Sequence, residues 1–199
     1  MKDKIMAKAS ELFLKLGFKS ITMDDIACEM CISKKTIYKY FGNKEVLIEE
    51  STGTMQDKLH HSIDTIVKQN YNAIQENFEI RKMFKEMLKT ADTSPLYQLK
   101  KHYPEIYEKV FNGEVDKCNT VFKQNMEKGI NEGLYRTNIP IESYVKFYYT
   151  LIFGINESTI SETETRDLEL EALEYHTRAM ATLAGITELE KQLENQSTL

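Results

Sequence analysis

Residues 20–47 read SITMDDIACEMCISKKTIYKYFGNKEVL, and the fold turns on how this stretch is read. Thr22 with Asp25 three positions on has the capping-box pattern, and Asp24 adds a carboxylate favourable to a helix N-terminus. Met23, Ile26, Ala27 and Met30 give that short helix an inner face. Ser33 is placed to cap a second short helix, with Ile37 and Phe41 turned inward. Gly42 and Asn43 break the chain, and Asn43 caps a further helix that starts at Lys44. Upstream, Ile5, Ala9, Leu12, Phe13 and Leu16 recur at spacings of three and four, which predicts a helix over 2–16 closed by Gly17. Three short helices with a tight joint between the second and third form a helix-turn-helix arrangement.

In that arrangement the second helix of the pair lies in the DNA major groove while flanking residues hold phosphates. Lys34 and Lys35 fall on its first turn, where a lysine can donate to guanine O6 and N7. Thr36 offers a short hydroxyl contact to a phosphate or a thymine methyl. Tyr38 and Tyr40 combine a flat apolar body with a hydroxyl donor, suited to the sugar–phosphate wall. Lys39 adds charge, and Lys44 opens a helix N-terminus, a natural phosphate site. Thr22 and Ser33, at the starts of the two paired helices, complete the candidate DNA-contacting set. The same residues also fit a solvated basic helix whose tyrosines pack on a neighbour, and composition alone leaves both open.

Charge is divided unevenly. Residues 1–47 carry nine lysines against six Asp or Glu, whereas the rest has seventeen Lys or Arg against twenty-five Asp or Glu. A basic head on an acidic body implies an anionic partner for the head alone.

The stretch from Met23 to Leu47 closely resembles the DNA-binding signature of the TetR family of transcription regulators. The matching positions are Ile26-Ala27, Ile32, Ser33, Thr36, Ile37, Tyr38, Tyr40, Phe41, Asn43, Lys44 and Glu45. Two positions depart from the family pattern. Cys31 stands at the turn where the family commonly has Gly, a costly exchange if that residue needs positive φ. Lys35 stands where a Gly is frequent and puts an extra long cation on the DNA face.

The remainder is expected to be helical, since Gly and Pro number only 8 and 3 in 199 residues while Leu, Glu, Lys, Met and Ala abound. The fold class is therefore all-α: a three-helix DNA-binding domain over 1–47 and a larger helical domain over 48–199. Periodicity and breakers predict helices over 44–70, 72–90, 95–102, 104–128, 141–156 and 165–184. ADTSP (91–95) reads as a loop, Gly185 as a helix stop, and TELEKQLENQSTL (187–199) as a frayed tail. The segment 141–156 is apolar nearly all round and must be covered on more than one side. It is expected to pair with 165–184 and their mates from a second copy as a four-helix dimer bundle, through Leu151, Ile152, Ile155, Leu173, Met180 and Leu183, with Gly154 allowing close approach.

The resemblance implies that the body encloses a small-molecule cavity. Phe84, Met87, Tyr103, Tyr107, Phe122, Met126 and Tyr148 are its candidate lining. The acidic, tyrosine-bearing body leans toward an amphipathic or cationic aromatic effector. The implied partners are thus a palindromic double-stranded DNA operator, a small-molecule effector and a second copy of the chain, with no membrane and no cofactor. The implied role is a repressor released by its ligand. The other readings are a ligand-independent DNA binder or activator with a solid body, and a small helical enzyme.

Against an enzyme, the chain has no Ser-His-Asp spacing, no phosphate-cradling glycine loop and no Glu-rich di-metal pattern. Cys28 and Cys31 form a lone CxxC with no second pair, whereas a structural zinc wants four ligands. They read as small residues in a turn, or as a strained, oxidant-sensing pair. His60 and His61 point to different helix faces, and His102 and His176 stand alone. No apolar run approaches the ~20 residues of a membrane span. MKDKIMAKASELF has no apolar core segment of a signal peptide. Three cysteines, an odd number, suit a reducing cytoplasm.

Overall fold

The computed structural model describes residues 1–89, 91, 94–158 and 161–197. The head is built from α1 (Lys2–Leu16), α2 (Met23–Glu29) and α3 (Lys34–Tyr38), closed by the first turns of α4 (Lys44–Val67). Its core is continuous: Ile5, Phe13, Phe18, Ile26, Ile37, Phe41 and Leu47 are buried together. Local chemistry sets each helix start. The Thr22 hydroxyl accepts from the Asp25 amide at 3.2 Å while the Asp25 carboxylate accepts from the Thr22 amide at 2.8 Å. Ser33 Oγ accepts from the Thr36 amide at 3.1 Å, and Asn43 Oδ1 from the Val46 amide at 2.9 Å.

The joint between α2 and α3 is a Schellman turn. The Ile32 amide donates to the Ala27 carbonyl and the Cys31 amide to the Cys28 carbonyl, both at 3.0 Å. Cys31 takes the left-handed position with φ 52. Gly17 closes α1 in the manner expected, with φ 88 and its amide on the Phe13 carbonyl.

α4 runs unbroken from head to body, so residue 47 falls inside a helix rather than at a linker. α1 packs along α4. The head core also takes in Leu99 from α6 (Pro95–His102) and Ile106, Tyr107 and Val110 from the first turns of α7 (Pro104–Asn131). The body adds α5 (Ala73–Met87), α8 (Ile141–Asn156), α9 (Glu162–Met180) and α10 (Leu183–Ser197). Its main core gathers Ile74, Phe78, Met126, Tyr135, Tyr148, Leu173, Met180 and Leu189. Among the described residues there is no β-strand, only one antiparallel bridge between Tyr135 and Ala181, and no helix long and apolar enough to cross a membrane.

Several boundaries differ from expectation; α4 ends at Val67 short of 70, α7 runs on to Asn131 past 128, and α9 starts at Glu162 ahead of 165. α5 stops at Met87, short of 90; Thr90, Asp92 and Thr93, from the expected helix end and loop, lie outside the described residues. The helix expected over 165–184 ends at Met180, because Ala181 turns extended and the Thr182 amide donates to the Leu134 carbonyl at 2.9 Å. The expected tail is instead α10, anchored by Leu189, which is wholly buried. Gly185 is not a stop: it lies within α10, where an added Cβ would come 2.1 Å from the Leu134 carbonyl oxygen. The glycine marks a close approach of two segments rather than a left-handed cap.

Candidate nucleic-acid interface and interior cavity

α3 and the turn after it present a basic, aromatic surface. Ser33, Lys34, Lys35, Tyr38, Lys39 and Tyr40 are all exposed, Tyr38 and Tyr40 by 44% and 37%, so the tyrosines are not packed away on a neighbour. The reason lies in the helix period: Ile37 and Phe41 take the inward positions and leave 34, 35, 38 and 39 outward. Lys34 is held by Asp24, with its Nζ at 2.8 and 3.0 Å from the two carboxylate oxygens, and stands over the Tyr38 ring at 5.8 Å. The Asp24 carboxylate raises the pKa of Lys34. Lys35 has no such partner among the described residues and is exposed on the first turn.

The other expected contacts have local duties. The Thr22 hydroxyl donates to Asp25 at 2.7 Å, and its bonds hold the Asp25 carboxyl below the usual range. Ser33 Oγ and Thr36 Oγ1 pair at 2.8 Å. Lys44 is half-buried, its Nζ on the Lys19 carbonyl at 3.0 Å and 5.8 Å above the Tyr103 ring, and burial lowers its pKa. It ties α4 to the loop after α1 instead of reaching outward. Cys28 and Cys31 are exposed free thiols flanking the turn.

Within the body lies a cavity of about 190 Å³. Phe84, Met87, Phe122 and Tyr148 line it, and so does Ile152, which was expected at the dimer face. Tyr103, Tyr107 and Met126 do not. Tyr107 belongs to the head core, where it hydrogen-bonds Glu157, and Tyr103 packs against the same core; both sit at the α6–α7 corner. Met126, one turn beyond Phe122, is buried in the main body core. The cavity also reaches Leu14 and Phe18 of the head and Leu96 and Leu99 of α6.

Its polar lining includes Asn77, Arg81, Glu114, Asn156 and Glu169, none of them expected from the sequence. Burial lowers the Arg81 pKa, while Arg81 Nη2 donates to the Arg166 carbonyl at 2.6 Å. Burial raises the Glu169 carboxyl, against the opposing bond from Asn156 Nδ2 at 2.7 Å. Tyr148 stacks on His176 with centroids 4.5 Å apart, and burial pushes the His176 imidazole down to about 4. The available signal was the pair Asn77 and Arg81, four apart on the stripe that also carries Phe84.

On the outside of α8, Phe147 and Leu151 are exposed, Gly154 is open, and Ile155 is half-buried. Leu168 and Tyr175 are exposed on α9, which packs beside α8, and Leu183 is 89% exposed. Leu173 and Met180, expected at a dimer face, are wholly buried among this chain's own helices and are unavailable to a second copy.

A capped helix-turn-helix whose second helix offers lysines and tyrosines to solvent, on an all-helical body, is the architecture of a DNA-binding transcription regulator. The model of "Bacterial regulatory proteins, tetR family" matches residues 5–51. A relative from Bacillus subtilis (strain 168), the uncharacterized HTH-type transcriptional regulator YdeS, is 30% identical over 179 residues, spanning 84% of this chain and 85% of that one. The chain belongs to the tetR family of bacterial regulatory proteins. Among solved structures, a transcriptional regulator from Cytophaga hutchinsonii ATCC 33406 matches with TM-score 0.71 at 18% identity, over 90% of this chain and 98% of that one. Thermus thermophilus FadR, a TetR-family transcriptional repressor in complex with lauroyl-CoA, matches with TM-score 0.56 at 19% identity, over 89% and 92%. At these identities the two structures speak to the fold alone.

Proposed function

We propose that this regulator is a cytoplasmic repressor that binds a palindromic operator as a homodimer and leaves it when a small molecule fills the body cavity. The functional division lies near residue 47, with DNA contacts in 1–47 and sensing and assembly in 48–199. The observation that carries the DNA reading is the exposed set Lys34, Lys35, Tyr38, Lys39 and Tyr40 on one short element. Lys35, with no carboxylate partner among the described residues, reads base edges, while Lys34, Lys39 and the tyrosine hydroxyls meet phosphates. Ser33, Thr36 and Thr22 hold helix starts at the DNA surface. Lys44 acts by fixing the angle between α4 and the head.

One head offers too few contacts for tight specific binding, and two heads about one helical turn apart (~34–36 Å) supply the rest. The apolar residues left exposed on α8, α9 and α10 (Phe147, Leu151, Leu168, Tyr175 and Leu183) support a second copy there. A cavity bounded by Leu14 and Phe18 as well as by body residues supports coupling: an occupant presses on the head core itself and favours a head spacing that no longer fits the operator. The cavity also speaks against a solid, ligand-independent body.

The test is fluorescence anisotropy of the protein on the duplex upstream of its own gene and on scrambled duplex, across a salt series. Two chains per specific duplex are expected by analytical ultracentrifugation. Lys35→Ala should lose roughly tenfold or more on the specific duplex and little on the scrambled one. One chain per duplex would remove the homodimer, and equal losses on both duplexes would remove the base-reading role of Lys35.

A further inference from the structure

A second space, a cleft of about 310 Å³, opens between α6 and the end of α1 with the loop after it. Lys15, Lys19 and Ser20 line it from the head, and Tyr97, Gln98 and His102 from α6. Lys15, Lys19 and Lys101 are exposed. The Lys101 Nζ lies 3.1 Å from the Tyr97 hydroxyl, and the Lys44 Nζ 3.0 Å from the Lys19 carbonyl, so both ammoniums stand at residues of the lining. Desolvation, and after it the charges of Lys19, Lys101 and Lys44, lowers the pKa of His102. The cations of the two walls therefore converge on one corner.

Lys100, beside Lys101 in the chain, meets Glu157, whereas Lys15, Lys19, Lys44 and Lys101 form no ion pair among the described residues. Asp25, the carboxylate that acts on Lys44, is held by the amide and the hydroxyl of Thr22. Each wall has a local reason for its charge. Lys15 stands in the last turn of α1, and Lys101 and His102 in the last turn of α6, where the helix dipole favours cations. Two helix ends supply roughly half a negative charge each, about one unit against four lysines. The surplus is open to an anion from solution.

The charge and its spread select the anion. A carboxylate brings one charge and two oxygens. A phosphate monoester brings about −1.5 to −2 and three acceptor oxygens at pH 7, enough to draw ammoniums from both walls and a hydroxyl donor as well. A space of this size falls at the lower end of the ~300–1,000 Å³ of small-molecule sites. We propose that the cleft binds a small phosphate monoester, whose phosphate bridges Lys15 and Lys19 of the head to Lys101 and His102 of α6 and whose body lies against the Tyr97 ring. The same two segments also wall the interior cavity, through Leu14 and Phe18 and through Leu96 and Leu99. The Phe18 amide already ties them by donating to Gln98 Oε1 at 2.9 Å. The phosphate adds a second tie, and its binding needs neither an operator nor an occupant of the cavity.

Full-length protein without DNA is titrated calorimetrically, in phosphate-free buffer of low and equal ionic strength, with phenyl phosphate and with benzoate. Phenyl phosphate should bind roughly tenfold tighter or more, because its extra charge reaches a second wall. Lys19→Gln combined with Lys101→Gln should remove most of that advantage and leave the melting temperature of the free protein unchanged, since both side chains are exposed. Lys123→Gln, which removes an exposed lysine paired with Glu142 on the body, should leave the affinity as it was. Bound phenyl phosphate should also slow hydrogen exchange of the Phe18 amide. Absence of phenyl phosphate binding, equal affinity for benzoate, or an equal loss in Lys123→Gln overturns the proposal. Unchanged Phe18 exchange in the bound protein overturns it too, because the phosphate would then rest on one wall only. So does a double variant that binds phenyl phosphate normally yet loses specific and scrambled duplex alike with a flatter salt dependence, which would give these lysines to the DNA backbone.

Discussion

In the head, α1 to α3 close on a filled core in which Ile5, Phe13, Ile26, Ile37 and Phe41 are wholly buried, and α2, α3 and α4 each begin on a side-chain cap. In the body, the helices leave a partly open cavity of about 190 Å³. The buried side-chain polar atoms without a hydrogen-bond partner among the described residues, on Ser51, Asn77, Arg81 and Thr177, lie beyond residue 47, as does His60, whose Nε2 meets Glu114 Oε1 at 3.2 Å. The head thus keeps its specific chemistry on the outside, on a rigid support, where Lys35 and the tyrosines can change without touching the core. The body keeps its chemistry inside, as space and unmatched donors and acceptors, and gives up packing energy to do so.

Three measurements would break or sharpen this contrast. The largest effect expected is acid loss of body stability through His176. Its folded pKa is about 4 against an ordinary 6.5, because it is buried beside Tyr148. The unfolded chain therefore takes up the proton first, so this contribution is intact above pH 6.5 and is lost as pH falls from 6.5 toward 4. The loss is on the order of 3 kcal/mol. Urea midpoints between pH 7.5 and 4.5 should drop for the natural chain and stay flatter for His176→Phe; parallel curves would place the acid sensitivity elsewhere.

Next comes a pair of substitutions on one helix. Leu47, wholly buried in the head core, and Leu59, on the cavity wall, both belong to α4. Leu47→Phe overpacks a filled core and should cost about 1–3 kcal/mol, whereas Leu59→Phe should cost less than about 1 kcal/mol because its ring enters open space. Equal costs by chemical denaturation would mean that the body is as tightly filled as the head.

The smallest effect concerns the one described non-glycine residue with positive φ. Cys31→Gly relieves the left-handed strain at φ 52 and should stabilise by about 1 kcal/mol. That corresponds to a melting temperature higher by about 2–4 °C for a chain of this size. A lower melting temperature would show that the thiol side chain packs usefully at the turn.

Much of the head was legible because its determinants are local. Thr22 with Asp25, Ser33 with Thr36 and Asn43 with Val46 act over three residues, and Ile37 and Phe41 over one turn. The limits of α1, α6 and α8 could be read the same way, from a stripe of apolar residues between a cap or proline and a breaker. Lys44 shows where that stops. Its position at a helix start suggested phosphate, yet the Lys19 carbonyl and the Tyr103 ring turn it inward, and Tyr103 is 59 positions away.

The sequence by itself determined an all-helical chain with a capped helix-turn-helix and the basic residues of α3, since each follows from the period and chemistry of a few adjacent residues, while the left-handed φ of Cys31 came from the structure. Tertiary structure alone decided that Leu173 and Met180 are core, that Gly185 lets α10 pass the Leu134 carbonyl, and that Tyr107 serves the head. It also decided that Asn77, Arg81, Glu114, Asn156 and Glu169, polar residues of the body helices, gather around one cavity. A helix that is apolar on several sides does not state which side meets which neighbour. That choice is made by contacts such as Asn77 with Asn125, between residues 48 positions apart, and only the assembled fold brings them together.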